Sequence, residues 1–475
     1  MKSAARLSAL LVAGIGSACA LGPDYTRPDL PAPETFREQP AEVASLADLP
    51  WFDVFRDDAL GAHVHEALEN NRDLQLAAAR VEQARYLAAV ARSPLFPQLG
   101  YDAVTARGDQ ALLGSPAPGT SLENSSLLAA NLFWEIDVWG RIRRSAEAAR
   151  AELFATEAVR RGVVLSLVSV VAQSYYELLE LDLEREIAQN SVQAYQGTYG
   201  LFQRQFEGGV TSKLDPLRAD AALAQAEASL RFVELAIVAT ENQLSVLLGR
   251  PAGALARGAG LTAQTLPPEV PSGIPSQLLE RRPDLLEAEQ TLVAANARIG
   301  VAFTNYFPRI GLSALGGSAS TDLSDLLDSG TGLWSLAASA AGPIFTAGQT
   351  TYDWRAAQAA SDASRAAYEG AVLNALREVS DALTAREKLA LVRVQQERAV
   401  AALRESVKMA TTRYVSGLSS YFEVLDAQQE LYPAEFALAR TRRDEHLAVV
   451  EIYRALGGGW NADAREPEIP LPLAP

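Results

Sequence analysis

The sequence holds one cysteine, three histidines and two methionines in 475 residues. That scarcity leaves no material for a disulfide framework and little for a metal centre or a Cys/His nucleophile. His63 and His65 stand two apart at the start of a helical stretch, which puts them on different faces. They are expected at the surface rather than as a metal pair. Positive charge is short too: 42 Lys and Arg against 58 Asp and Glu leave a formal net charge of −16. The basic footprint of a nucleic-acid partner is missing, and an acidic surface suits solubility or a lumen that favours cations. After the N-terminus there is no clean run of about 20 apolar residues. The nearest, 163–181, is interrupted by Ser166, Ser169, Gln173, Ser174, Glu177 and Glu180 and reads as a helix buried on one side. No Ser/His/Asp or metal-ligand set emerges, so the chain is not expected to be an enzyme or to bind a cofactor.

What is present begins with a leader. Residues 1–18 read as a signal peptide: Lys2 and Arg6 are charged, 7–15 are apolar, and Gly16, Ser17 and Ala18 are small. A small-residue run ending in Cys is how bacterial lipoprotein signals look, so Cys19 is expected to be acylated and to become the new N-terminus. Gly16 departs from that pattern, which usually has Leu there. The other reading is cleavage after Ala18 or Ala20 beside an incidental thiol. Residues 19–57, rich in proline, are expected to lie extended on the body of the protein.

Beyond residue 57 one pattern occurs twice. Gly140 and Gly348 are 208 apart, as are Gly209 and Gly417, Leu217 and Leu425, Leu230 and Leu438, and Gly249 and Gly457. Upstream, Asp73 and Asp284, Leu74 and Leu285, Phe96 and Phe307, and Pro97 and Pro308 are 211 apart. A unit of some 200 residues is too long for a solenoid repeat, so the chain reads as two halves of one domain. Residues 58–249 and 276–457 are the repeats, 250–275 a linker and 458–475 a tail. Each half runs helix, strand, loop, strand, very long helix, turn, helix. The first helices are expected over about 59–92 and 276–304, each ending near an aromatic-Pro boundary, Phe96-Pro97 and Phe307-Pro308.

The strands alternate with a period of two: Leu128, Ala130, Leu132, Trp134 and Ile136 on one parity, Asn131, Glu135 and Asp137 on the other. Strands are expected at about 99–106, 127–137, 309–317 and 333–345, near the length that crosses a bilayer at a tilt. The Gly/Pro/Ser-rich loops 107–126 and 318–332 differ in length, which accounts for the change of shift. A sheet in hydrocarbon cannot leave its edges unpaired, and four strands are too few to close on themselves. Three copies give a barrel of about twelve strands. Trp134, Trp139, Trp334 and Phe345 are candidates for an interfacial aromatic girdle.

The stretches 141–206 and 349–414 are each long enough for a helix on the order of 100 Å. Leu376, Val379, Leu383, Ala390 and Val394 show heptad-like spacing. At their far ends lie matched turns, in which Gly209 and Gly417 suit the left-handed helix stop. Thr211 or Ser212, and Ser419 or Ser420, can cap the next helix. These tips are the free ends of a tunnel and the place for docking and gating. Asp215, Glu423 and Asp426 lie within a turn or two, and in a trimer each forms a ring of three like charges that attracts cations.

The chain resembles the outer membrane factor family, the TolC-like proteins, and specifically the lipoprotein branch serving resistance-nodulation-division (RND) efflux systems. The resemblance rests on Cys19-Ala-Leu-Gly-Pro-Asp-Tyr-Thr-Arg-Pro28, Trp134-Glu-Ile-Asp-Val-Trp-Gly-Arg141 and Arg281-Arg-Pro-Asp-Leu285. It continues through Gly342-Pro-Ile-Phe-Thr-Ala-Gly348, Val424-Leu-Asp-Ala-Gln428 and Ala455-Leu-Gly-Gly-Gly-Trp460. It implies an α+β membrane protein: a homotrimeric twelve-stranded β-barrel continued into an α-helical coiled-coil tunnel, with a mixed equatorial belt. It implies lipid on Cys19, a place in the Gram-negative outer membrane reaching into the periplasm, and a periplasmic constriction near Asp215, Glu423 and Asp426. Docking to a periplasmic adaptor (membrane fusion) protein, joined to an inner-membrane RND-type pump, falls to the tip residues Gly209, Val210, Thr211, Gly417, Leu418 and Ser419. The implied function is a passive exit duct for drugs, toxic compounds or metal ions. A type I protein secretion duct is the alternative within that class, and an adhesive surface trimer is disfavoured by the short external loops.

Overall fold

The computed structural model describes residues 20–29, 55, 57–107, 124–266 and 278–458. Helix α1 (Asp58–Asn70) is capped by Asp57, whose carboxylate accepts from the amides of Ala59 and Leu60 at 2.9 Å. Where one helix was expected over 59–92 there are two, because Asn71 is extended (φ −62°, ψ 131°) before α2 (Arg72–Arg92). Asn71 caps α2 through Leu74 N and donates to the Leu247 carbonyl, so the break is an anchoring point. The second half breaks 211 residues on, at Arg282, between α5 (Leu278–Arg281) and α6 (Pro283–Thr304). There Pro283 excludes the helical conformation for the residue before it.

Strands β1 (Gln98–Arg107), β2 (Asn124–Ile136), β3 (Arg309–Ser320) and β4 (Gly332–Ala341) form one antiparallel sheet in chain order. Its register aligns Leu99 with Leu132, Leu132 with Ala314, and Ala314 with Leu336. That face also carries Tyr101, Leu128, Trp134, Leu312 and Trp334, whereas Asp102, Asn131, Glu135, Ser313 and Ser335 share the other. The apolar face suits lipid and the polar one a water-filled lumen, although Phe133 and Leu315 also lie on the polar side. β4 stops at Ala341 rather than 345, before Pro343, which has no amide hydrogen to give to a ladder. Phe345 therefore lies beyond the strand. β1 and β4 are left as open edges.

Helices α3 (Arg141–Glu207) and α7 (Gln349–Val415) have 67 residues each and begin after Gly140 and Gly348, both left-handed at φ 81° and 89°. Each folds back into a shorter helix, α4 (Leu214–Leu247) and α8 (Tyr421–Ala455). The main core lies partway along the bundle. Leu60 and Val64 of α1, Val171 and Leu178 of α3, Val379 of α7 and Val450 and Ile452 of α8 meet there. The apolar stretch 163–181 is in this core, buried on the side facing α1 and α8. Residues 255–264 close over it. Tyr175 and Gln264 both donate to Asp57, and Arg257 bridges Asp182 and Glu241. The same cover buries His63, whose Nε2 donates to the Ala256 carbonyl at 3.0 Å. The surface position expected for His63 is thus corrected; His65 is exposed beside Glu69.

Candidate functional site at the helical tips

Both tips are built by one device. At the end of α3, Gly209 N donates to the Phe206 carbonyl at 2.9 Å and Val210 N to Gln205 at 2.8 Å. At the end of α7, Gly417 N donates to Tyr414 and Leu418 N to Arg413, each at 2.9 Å. These paired bonds are the Schellman arrangement, and it requires the left-handed glycines (φ 69° and 71°). The turn pushes Val210 and Leu418 into solvent, 77% and 70% exposed, with Leu214 and Phe422 exposed behind them. Each pair is again separated by 208 residues.

The hydroxyls behave differently from expectation in the second tip. Ser212 Oγ accepts from Leu214 N at 3.2 Å, and the Thr211 hydroxyl donates to Asp215. Ser420 precedes α8 without a side-chain cap, and the Ser419 hydroxyl is buried with no partner. The acidic residues are also held unequally. Asp215 is half-buried against Thr211, Glu423 faces Arg413 Nε at 3.3 Å, and Asp426 is exposed. Between the tips, Tyr414 donates to Gln205 at 3.1 Å, and buried Phe202 packs edge-on against Tyr421 with centroids 4.4 Å apart.

Above the tips lies a polar seam that sequence reasoning missed. Glu180 and Glu184, one turn apart on α3, are almost fully buried. Arg443 reaches Glu180 at 3.3 Å and Arg440 reaches Glu184 at 2.9 Å, both from α8. Burial, reinforced by Glu184, pushes the Glu180 carboxyl up to about 8 despite the two arginines. One turn higher, His446 stacks on Tyr176 at 4.6 Å, and burial pulls the imidazole down to about 4. The i, i+4 glutamates were the available signal, but a solvated helix face shows the same spacing. No group of three or more His, Cys, Asp or Glu side chains able to hold a metal ion occurs among the described residues.

At the other end, Leu21 N donates to the Trp139 carbonyl at 3.0 Å, and Arg27 grips buried Glu289 through both carboxylate oxygens at 2.7 and 2.6 Å. Residues 20–29 thus run from the sheet–helix junction along α6. Cys19 itself lies outside the described residues, as do 1–18, most of 30–56, the loop 108–123, residues 267–277 and the tail 459–475.

An amphipathic sheet open at both edges, continued into paired helices on the order of 100 Å long, defines a subunit of an outer-membrane channel. The chain belongs to the outer membrane efflux protein family, which matches residues 63–250 and 274–458. It is 32% identical to the cation efflux system protein CusC of Escherichia coli over 447 residues, covering 93% of this chain and 96% of that one. It is 34% identical over 469 residues to the toluene efflux pump outer membrane protein TtgC of Pseudomonas putida, covering 96% and 95%. Among solved structures, the outer-membrane channel OprN superposes with a TM-score of 0.84 at 31% identity, covering 93% of this chain and all of that one. The open state of the Neisseria gonorrhoeae MtrE outer membrane channel gives 0.82 at 31%, covering 94% and 100%. The fold class is the expected one, a homotrimeric barrel of four strands per chain continued into a helical tunnel. The protein is the outer-membrane channel of a tripartite efflux system, set in the Gram-negative outer membrane and extending into the periplasm.

Proposed function

We propose that the channel is a passive duct, anchored by acyl chains on Cys19 and docked through its tips to a periplasmic adaptor that joins an RND-type pump. The observation that carries this reading is the pair of exposed apolar side chains, Val210 and Leu418, held out on rigid left-handed turns at matched positions. A fixed apolar point at the free end of a tunnel serves recognition rather than the channel's own packing. The adaptor contact is thus assigned to Gly209, Val210, Thr211, Gly417, Leu418 and Ser419, and the constriction to Asp215, Glu423 and Asp426. The lipid reading is supported by Ala20, which lies against Gly140 where the sheet ends. Relatives named for cations and for toluene are similarly distant from this chain, which suits a duct whose cargo is chosen by the pump.

The test is a Val210→Asp/Leu418→Asp variant in cells carrying the cognate adaptor and pump. Expected is an intact trimer in detergent that no longer co-purifies with the adaptor and fails to restore efflux. Normal co-purification and efflux refute the tip assignment.

A further inference from the structure

Along the polar face of the sheet, the charged residues are Asp102, Glu135 and Arg309. The first two have partners. Asp102 accepts from the Asn131 amide at 2.5 Å, and Arg141 holds Glu135 through both oxygens at 2.9 and 2.8 Å. Arg309 is exposed and, among the described residues, has neither an ion pair nor a side-chain hydrogen bond.

Its place is fixed by its neighbours. β3 starts at Arg309 directly after Pro308, whose carbonyl accepts from Trp139 Nε1 at 2.8 Å. Phe307 stacks on the same indole with centroids 4.8 Å apart. The counterpart of Arg309, 211 residues earlier, is Gln98, the first residue of β1. Gln98 turns its amide back onto the carbonyls of Ser93 and Phe96 at 3.0 and 3.2 Å. One half of the chain thus ties this position to backbone, and the other leaves a guanidinium unpaired. The carboxylates at the facing end of β2 do not neutralise it. Glu135 has Arg141, and Asp137 has Arg143 at 3.3 Å besides the amides of Ile142 and Arg143. Asp102 lies level with Gly317 of β3, about 27 Å of strand away from Arg309.

We infer that Arg309 forms a ring of three positive charges in the lumen where the barrel meets the tunnel, and that this ring engages carboxylate or phosphate groups of anionic cargo in transit. The inference rests on the twelve-stranded trimer and does not depend on the tip assignment. Twelve strands about 4.8 Å apart and tilted by about 40° make a wall about 12 Å from the axis. Guanidiniums reaching inward from that wall bring the axis within a Debye length, ~8 Å at physiological salt. An ion crossing the base of the barrel therefore meets the field of all three. Arginine stays charged at any working pH and offers a planar fork of donors to carboxylate and phosphate oxygens. A ring of this sign favours anions, so the selectivity of the duct is not a property of its tips alone.

Single channels of the full-length trimer in a planar bilayer test the ring, each variant being shown first to keep the trimeric native mass. The helical tunnel cannot cross the membrane, so the barrel mouth opens on the chamber opposite to the one that receives the protein. Tripolyphosphate added on the barrel side is expected to block the native channel in proportion to its concentration. Arg309→Gln, which gives position 309 the side chain of its repeat counterpart, should raise the half-blocking concentration about tenfold. Arg309→Lys keeps the charge and should stay near the native value. A native channel that is not blocked from the barrel side overturns the ring, as does equal block in Arg309→Gln. A lysine variant as insensitive as the glutamine variant overturns the electrostatic reading. The tip variant Glu423→Gln/Asp426→Asn separates the two ends and should leave the barrel-side block unchanged. A block that responds to the tip variant but not to Arg309→Gln places the anion contact at the tips and refutes the proposal.

Discussion

Asp215 and Glu423 occupy the same place in the two halves, 208 residues apart, yet Asp215 takes the Thr211 hydroxyl while Glu423 faces the Arg413 guanidinium. The trimer therefore presents six carboxylates at that level, three of them beside a cation. Three residues further on the pairing inverts. Asp426 is exposed, and its counterpart in the first half is Arg218, also exposed. The tip field is a layered pattern rather than a simple stack of acidic rings.

Neutralising Glu423 and Asp426 together (Glu423→Gln/Asp426→Asn) is accordingly expected to do more than remove negative charge. It takes the carboxylate partner from Arg413 and removes the exposed Asp426 charge, so cation preference in single-channel recordings should fall. Bilayer recordings in asymmetric salt give the permeability ratio from the reversal potential. An unchanged ratio removes both residues from the constriction.

The tip glycines and the glycines at the far ends of the short helices separate two causes of conservation of shape. A methyl on Gly417 meets nothing within 4 Å, so only its left-handed backbone (φ 71°) opposes Gly417→Ala. That conformation costs roughly 1–2 kcal/mol for a residue with a Cβ. Gly249 has the same conformation (φ 73°), but its Cβ lands 2.4 Å from the Asn70 carbonyl oxygen. Gly249→Ala is expected to lower the melting temperature in detergent clearly more than Gly417→Ala. Equal shifts would show that the Asn70 contact yields without cost.

These glycines were legible in the sequence because a duplicated chain repeats its stops. The 208-residue spacing singled out Gly140, Gly209 and Gly249 with their counterparts, and all six take the left-handed conformation. The strands were legible from alternation, but not all their ends: β2 begins at Asn124 rather than 127, β3 runs on to Ser320 rather than 317, and β4 stops short before Pro343. Asn71 was not legible as a break, since its role depends on the Leu247 carbonyl 176 residues away. His63 was misplaced for a similar reason: the chain segment that covers it arrives from 193 residues downstream. Glu180 and Glu184 sit on a helix whose exposed and buried faces both carry charge. Their partners, Arg440 and Arg443 of α8, come from 256 and 263 residues away. Local pattern gave the elements, and long-range polar contacts gave the site.

Removal of Cys19, the proposed site of the anchor, tests the N-terminus. Leu21 is tied to Trp139, and Arg27 and Tyr25 to Glu289, by contacts that do not involve residue 19. Cys19→Ala is therefore expected to yield a folded trimer that lacks the acyl mass in intact mass spectrometry. Loss of the trimer would show that the lipid itself holds the subunits together.

The Glu180 seam sets a pH dependence whose sign follows from two opposed groups. Glu180 is raised to about 8 from the ordinary 4.5, so the folded state holds its proton more tightly than the unfolded chain. Its contribution is fully present below about 4.5 and is lost as pH rises to about 8. His446 is lowered to about 4 from 6.5, so its contribution is present above 6.5 and is lost as pH falls to about 4. Between 4.5 and 6.5 the two slopes oppose each other, and from 6.5 to 8 Glu180 acts alone. The groups facing the carboxyl are Glu184 on its own helix and Arg440 and Arg443 on α8, and the arginines stay charged throughout this range. The melting temperature of the trimer in detergent is therefore expected to vary little from pH 5 to 6.5 and to fall towards pH 8. Glu180→Gln keeps the shape and the neutral charge of the protonated carboxyl, so it should flatten the upper limb while leaving the value near pH 5 almost unchanged. A decline towards pH 8 that persists in Glu180→Gln would move the titration to another group.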